Sequence, residues 1–258
     1  MELIDSHAHL YMLEHADIDT VLSRAADAGV STMVTIGTEQ SDWDLNQKLG
    51  ETHKNVFYTL GTHPHSATSW EKWKPQLLGY FKSGVPRKCV AIGEIGLDYF
   101  YDNSPREEQL VCFEEQLELA KTLDLPIAVH CREAFADLFE ILNRVGAPNR
   151  RGVMHCFTGT TAEAKKSVDM GFRVSFSGIL TFKKAEALRD TARALPLDAL
   201  MIETDCPFLT PEPYRGKPNE PSYLPLTAKV LSSALGRDLE SVVQQTSDNA
   251  RAVFSLSS

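Results

Sequence analysis

The most constraining feature of this sequence is a regular alternation of short apolar segments with amphipathic segments along the whole chain. The apolar segments are typical of buried strands, whereas the segments between them carry apolar residues at helical spacing. Eight such strand and helix units, each of about 30 residues, account for the 258 residues. The predicted strands cover residues 3–5, 33–36, 56–60, 89–93, 127–129, 152–154, 172–177 and 200–202.

This alternation predicts an α/β fold, and eight successive units close most naturally into a (β/α)8 TIM barrel. A doubly wound open sheet is the alternative, but it usually has fewer strands and a glycine-rich nucleotide loop. We expect a single domain over residues 1–258, because no linker divides the chain. Six of the 13 prolines fall within residues 207–225, which we interpret as a wall of the active site.

Local signals mark several helix starts and one irregular segment. Ser104, followed by Pro105 and Glu107, predicts a helix that begins with a serine cap. Thr160 and Glu163 have the spacing of a capping box. Residues 61–65 are rich in turn formers, and we place them outside helices and strands.

The charge balance is acidic, with 26 Lys and Arg against 35 Asp and Glu and a net charge of −9. This balance argues against a protein that coats nucleic acid non-specifically through a basic surface, although bound divalent cations could supply the local positive charge that a nucleic-acid substrate needs. No apolar segment approaches membrane-spanning length and no signal peptide is recognisable, so we expect a cytoplasmic protein without a membrane partner. The five cysteines form no Cys-x-x-Cys pair and are interpreted as packing residues.

Histidines and carboxylates recur where the predicted strands end. His7 and His9 follow the first strand, and their imidazoles point to the same side because side chains alternate along an extended chain. The carboxyl ends of parallel barrel strands open on one face, where barrel enzymes place their active sites. The predicted metal ligands are His7, His9, Glu94, His130, His155 and Asp205.

Four imidazoles and two carboxylates exceed the needs of one tetrahedral zinc ion and suit two divalent cations bridged by a carboxylate and a water. Zn, Mn, Co and Mg are all candidates, because imidazole favours zinc or cobalt whereas carboxylates accept manganese or magnesium. Two such ions lower the pKa of a shared water and stabilise attacking and leaving oxygens. This chemistry suits hydrolysis of a phosphodiester and also of an amide or ester, whereas motifs for serine hydrolases, phosphate-binding loops and dinucleotide sites are absent from the sequence.

Other polar residues have weaker signals. Glu203 precedes Asp205 by two residues and shares its face, where it could orient a ligand, exchange a proton or form an ordinary salt bridge. Arg132 follows His130 and is either a phosphate contact or a residue at a helix start. His15 and His53 are interpreted as ordinary surface or helix residues.

Eight segments in the same order give the chain its resemblance to the TatD family of metal-dependent hydrolases, the TatD-type DNases, within the amidohydrolase-like barrels. The segments are DSHAHL (5–10), GTHPH (61–65), GEIGLDY (93–99), PIAVHCR (126–132), HCFTG (155–159), SFSG (175–178), ETDCP (203–207) and NEP (219–221). Each segment is weak alone, but the ordered set is specific. One departure is Pro218, which precedes Asn219 where many relatives have a basic residue.

The resemblance implies a (β/α)8 barrel in which the six predicted ligands hold two divalent metals and Glu94 bridges them. It also implies exonuclease-like cleavage of DNA ends, with His63, His65 and Glu203 close to the chemistry. We therefore predict a two-metal phosphodiesterase that acts on DNA, in which Asp205 is a ligand and a candidate base and Glu203, His63 and His65 assist.

Two other functions are kept as alternatives. The same activated water could attack a carbonyl, which would make the protein an amide or ester hydrolase acting on a small molecule or an acyl-type substrate. A metal-stabilised binding protein without turnover is the third hypothesis. A monomer is expected.

Overall fold

The computed structural model describes residues 2–256. Within this range the strands belong to one sheet, in which they follow one another in chain order. The strands are β1 (Leu3–Ala8), β2 (Val30–Ile36), β3 (Val56–Leu60), β4 (Cys89–Asp98), β5 (Ile127–Arg132), β6 (Gly152–Met154), β7 (Arg173–Phe176) and β8 (Leu200–Ile202). The α-helices are α1 (Ile18–Asp27), α2 (Gln40–Thr52), α3 (Trp70–Tyr80), α4 (Arg106–Leu123), α5 (Phe135–Val145), α6 (Thr161–Asp169), α7 (Glu186–Arg193), α8 (Leu224–Leu235) and α9 (Leu239–Phe254).

The first compact unit comprises residues 2–35 and 156–256. In it β1 pairs with β2 and β7 pairs with β8, both in parallel. Two backbone hydrogen bonds join the end of β1 to the segment after β8: Asp205 N–H donates to His7 O at 2.9 Å, and His9 N–H donates to Cys206 O at 2.8 Å. These bonds hold two stretches of polar residues side by side although almost 200 positions separate them in the chain.

The second compact unit comprises residues 36–155 and contains the parallel strands β3 to β6. Its core includes the fully buried aromatic rings of Trp43, Tyr58 and Phe113. Gly96 allows β4 to approach β5 closely, because a Cβ at this position would lie 1.9 Å from His130 O and the backbone has a φ of +143°. The second unit therefore brings these two strands together at the level of His130.

The strand ends differ from the sequence prediction in this unit. Glu94 and His130 were expected at the ends of their strands, but β4 continues to Asp98 and β5 to Arg132. Ile92 pairs with Ile127 whereas Ile95 pairs with Val129, so β4 has one residue more than β5 in this interval. This irregularity lies beside Glu94, and such bulges re-aim the side chains near them.

Two predictions about local structure were wrong. Residues 61–65 were placed outside helices, but Pro64 begins a 3-10 helix, Pro64–Ser69, where a proline lacking an N–H is well tolerated at the first position. Ser104 was predicted to cap α4, but Pro105 occupies the capping position and the Ser104 hydroxyl donates to His65 O at 2.9 Å. Thr160 and Glu163 do form the predicted capping box at α6.

Buried polar side chains anchor the proline-rich segment between β8 and α8 within the first unit. The Asn219 carboxamide donates to Thr204 O and Phe208 O, at 2.9 and 2.6 Å. Glu220 accepts hydrogen bonds from Arg24 and faces His15 Nε2 at 2.9 Å. Burial would raise the pKa of Glu220, but Arg24, Ser222 and His15 lower it to about 2, so the carboxylate stays charged.

No helix within residues 2–256 is long and apolar enough to cross a membrane. The single domain over residues 1–258 stays a prediction, and residues 1, 257 and 258 lie outside the described residues.

Candidate metal centre

The second unit gathers five predicted site residues, and the imidazoles of three of them surround one carboxylate oxygen. Glu94 Oε1 lies 2.8 Å from His155 Nε2, 2.9 Å from His130 Nδ1 and 3.3 Å from His63 Nε2. His65 belongs to the same group, since its ring centroid is 4.3 Å from that of His63. We call the group formed by His63, His65, Glu94, Asp98, His130 and His155 the Glu94 cluster.

Glu94 is almost completely buried, and its charge depends on the surrounding imidazoles. Burial alone would raise the pKa of its carboxyl group, but the electrostatic interactions with His155 and His63 and the hydrogen bonds with His130 and His155 hold the pKa well below its ordinary value. The cluster therefore presents a buried carboxylate anion among nitrogen donors.

The hydrogen bonds of His63 define its tautomer. Burial lowers the pKa of His63 to about 4, although Glu94 opposes this shift, so the ring is neutral at pH 7. Its Nδ1 accepts the backbone N–H of His65 at 3.1 Å and therefore carries no proton. The single ring proton then lies on Nε2, which faces Glu94.

Asp98 is a member of the cluster that the sequence analysis did not single out. Its side chain is fully buried, and Oδ2 lies 2.9 Å from His130 Nε2 and 3.0 Å from His65 Nε2. Hydrogen bonds from these histidines lower the pKa of Asp98 against the opposing effect of burial. The available signal was its spacing, because Glu94, Gly96 and Asp98 alternate along one strand and two of them are acidic.

The donor set of the Glu94 cluster fits a divalent cation. A neutral imidazole has one N–H, and if His130 donates its proton from Nε2 to Asp98, its Nδ1 presents a lone pair towards Glu94. Without a cation the pKa of His130 is raised: burial lowers it, but hydrogen bonds to both carboxylates outweigh that effect. One potential ligand atom from each of Glu94, His130 and His155 lies within 4.8 Å of the others.

The first unit assembles the other predicted ligands. Asp205 Oδ1 lies 3.4 Å from His9 Nε2 and 3.7 Å from His7 Nε2, and the two histidine rings meet edge to face at 5.2 Å. All three residues are buried. This group, the Asp205 cluster, agrees with the prediction that alternation brings His7 and His9 to one side of the first strand.

The backbone at Asp205 has a left-handed conformation, with a φ of 57°. Residues other than glycine adopt this conformation at an energetic cost and are found there at sites where the surrounding structure enforces it.

Asp5 is a buried carboxylic acid that contacts the residue before Asp205. The backbone N–H of Thr204 donates to Asp5 Oδ1 at 2.9 Å. Burial raises the pKa of Asp5 to about 7, with the Thr204 hydrogen bonds acting in the opposite direction.

Glu203 is fully buried, and its Oε1 accepts the backbone N–H of Cys156 at 2.7 Å. Cys156 Sγ lies 3.3 Å from Ser177 Oγ. No disulfide joins the five cysteines of the described part of the chain, and Cys89, Cys112 and Cys206 are buried, as their interpretation as packing residues predicts. His15 lies outside both clusters and pairs with Glu220.

The sequence profile of the TatD-related DNase family matches residues 4–255 of this chain. A protein of Bacillus subtilis named as the uncharacterized metal-dependent hydrolase YabD is 37% identical over 254 residues, which cover 98% of each chain. The 3'-5' ssDNA/RNA exonuclease TatD of Pantoea ananatis is 35% identical over 247 residues, covering 93% of this chain and 94% of that protein.

A solved structure gives the corresponding result for the fold. The crystal structure of YJJV, a TatD homologue from Escherichia coli, superposes with a TM-score of 0.90 and 32% identity, covering 99% of this chain and 98% of that one. The predicted (β/α)8 fold class is confirmed by this likeness together with the order of the eight strands.

Proposed function

Because this chain belongs to the family of TatD-related DNases, we propose that it is a nuclease that shortens DNA from an end. Membership confirms the prediction of a metal-dependent hydrolase, and relatives across nearly the whole chain carry that name or the name exonuclease. The observation that carries the proposal is the buried Glu94 carboxylate with three imidazole nitrogens within 3.3 Å of one oxygen. A buried carboxylate oxygen and imidazole nitrogens are ligands that divalent cations accept.

The proposed ligands of two divalent ions are Glu94, His130 and His155 of the second unit and His7, His9 and Asp205 of the first. When bound, such ions lower the pKa of a water molecule and stabilise negative charge on phosphate oxygens. We further propose that the ions are Zn, Mn, Co or Mg and that Glu94 bridges them. A cytoplasmic location is also a proposal.

The protein side chains then have separate tasks. His63 holds its proton on Nε2 and is proposed to donate it to an oxygen of the substrate, because Nδ1 is engaged by a backbone N–H. Asp205 is proposed as a ligand and proton acceptor, and Glu203 and His65 as residues that assist proton transfer. Asp98 orients His130 and His65 through hydrogen bonds to their Nε2 atoms.

Metal dependence is the direct test. Chelator-treated protein is reloaded in turn with Mg, Mn, Co or Zn and incubated with single-stranded DNA labelled at either end. A 5'-labelled strand that shortens stepwise while a 3' label is released early would show removal from the 3' end, and we expect chelator and His7→Ala to abolish this shortening. Intact DNA with every metal, from protein that binds two ions, would contradict the proposal and favour the amide or ester hydrolase.

Asp98→Asn is expected to weaken metal binding about 10- to 100-fold. The reason is that a neutral amide oxygen accepts the hydrogen bond from His130 Nε2–H more weakly than a carboxylate does and so orients the ring less well. The measurement is calorimetric titration of chelator-treated protein with Mn or Zn. Asp124→Asn, an exposed aspartate at the end of α4, is the matched control. Equal affinities for wild type and Asp98→Asn would remove the positioning role from Asp98.

A further inference from the structure

We infer that Phe100, Tyr101 and Arg132 form a subsite that stacks an unpaired terminal base of single-stranded nucleic acid and binds its phosphate. The inference rests on the proposed nuclease function and assigns to these residues the binding of the end of the strand. We call these three residues the stacking subsite.

Phe100 and Tyr101 are exposed aromatic side chains directly after β4. Half of the Phe100 side chain and 56% of Tyr101 are accessible to solvent, and the rings meet edge to face with centroids 4.9 Å apart. Contiguous exposed apolar surface often marks a site of binding. Base stacking on such rings tolerates any base, because every base has a π-face.

Arg132 supplies the positive charge that a nucleic-acid backbone needs. Its guanidinium carbon lies 4.0 Å from the Phe100 ring centroid and 5.2 Å from that of Tyr101. Within residues 2–256 this guanidinium forms no ion pair, so its charge remains available in a protein with a net charge of −9. A guanidinium is planar, stacks on aromatic faces and offers a pair of N–H groups whose geometry matches a phosphate.

Asp98 links the stacking subsite to the Glu94 cluster. Its Oδ1 accepts the backbone N–H groups of Phe100 and Tyr101 at 3.0 and 2.9 Å, while Oδ2 faces the two histidines. The Tyr101 ring also packs against the His65 ring, with centroids 5.5 Å apart. A base stacked on Tyr101 is therefore held next to the cluster, and the adjoining phosphate falls within reach of its residues.

This arrangement favours an unpaired end over a blunt duplex. A terminal base in a duplex is already stacked and paired, and freeing it costs free energy before it can reach the aromatic rings. The aromatic rings offer faces on which any base can stack, and the guanidinium is assigned to the phosphate. Binding should therefore depend little on the identity of the terminal base.

The test compares binding and cleavage of two single-stranded oligothymidylates with an internal fluorophore, of which one lacks the bases of its first and last nucleotides. Binding is measured by fluorescence anisotropy with chelator-treated protein. We expect Tyr101→Ala and Phe100→Ala each to weaken binding of the intact strand about ten-fold, equivalent to roughly 1.4 kcal/mol. The same substitutions should weaken binding of the strand without terminal bases about two-fold or less, because that strand has no terminal base to stack on the rings.

Two further variants separate stacking from other causes. Tyr101→Phe retains the ring and should restore binding to within about two-fold of wild type. Val111→Ala removes an equally exposed apolar side chain from α4 and should change neither strand. An equal loss on both strands, or a failure of Tyr101→Phe to restore binding, would overturn the stacking subsite.

Cleavage of the same strands by metal-loaded protein keeps the two proposals distinguishable. Ring-dependent binding without cleavage would contradict the nuclease and leave the subsite standing. Cleavage that is insensitive to both rings would overturn the subsite and leave the nuclease standing.

Discussion

Glu94→Gln is expected to lower kcat/KM for single-stranded DNA about 1000-fold, which corresponds to roughly 4 kcal/mol of lost transition-state stabilisation. The glutamine has the same shape but no charge, and its amide places N–H groups where imidazole nitrogens now face a carboxylate oxygen. The variant should also bind fewer divalent ions, because three histidine nitrogens converge on this one oxygen. Single-turnover cleavage and metal content after dialysis measure the two effects.

Controls separate this effect from unfolding. Glu118→Gln changes an exposed glutamate of α4 and should retain wild-type turnover and metal content. In chelator, Glu94→Gln is expected to unfold at a lower temperature than wild type, because removing one partner of a buried charged group leaves the facing imidazoles uncompensated. Circular dichroism at the assay temperature checks that the variant is folded there. A Glu94→Gln protein with full metal content and normal turnover would exclude Glu94 from the site.

Asp205→Asn is expected to reduce kcat by a similar factor, again about 1000-fold, while leaving the backbone unchanged. Asparagine is tolerated in the left-handed conformation that Asp205 adopts, so the substitution removes the charge without adding backbone strain. The lost carboxylate is the one that faces Nε2 of both His7 and His9. Single-turnover cleavage at saturating metal measures the chemical step directly.

Asp169→Asn, at the exposed end of α6, is the matched control for this substitution and should be silent. Circular dichroism and thermal unfolding should match wild type for both variants. Wild-type turnover by Asp205→Asn would remove Asp205 from the mechanism and shift the proton-accepting role to another residue.

Local sequence signals predicted much of this protein. The alternation of apolar strands with amphipathic helices gives the element order, because hydrophobic periodicity reflects which face of each element is buried. The Thr160 and Glu163 capping box is confirmed because its partners are three residues apart. His7 and His9 are two residues apart and their rings meet as predicted, although β1 ends at Ala8 and His9 follows it. Each of these interactions joins residues that are close together in the sequence.

Other features depend on contacts between residues that are distant in the chain. Ser104 has the sequence of a helix cap, yet its hydroxyl is taken by the His65 carbonyl of another element. The length of β4 is decided by pairing with β5, which Gly96 permits by having no side chain at their close approach. Asp98 gains its importance only when β5 places His130 within hydrogen-bonding distance.

The sequence by itself determined the alternation of strands and helices and the kinds of ligand that the chain can offer. Only the tertiary structure decided which atoms meet: that Glu94 Oε1 is the point of convergence, that His63 keeps its proton on Nε2, and that Asp98 joins two histidines to an exposed aromatic pair. The physical reason is the separation along the chain over which each interaction acts. Backbone periodicity and capping act over a few residues, whereas the pKa values and hydrogen bonds of buried polar groups are set by whatever distant strands pack against them.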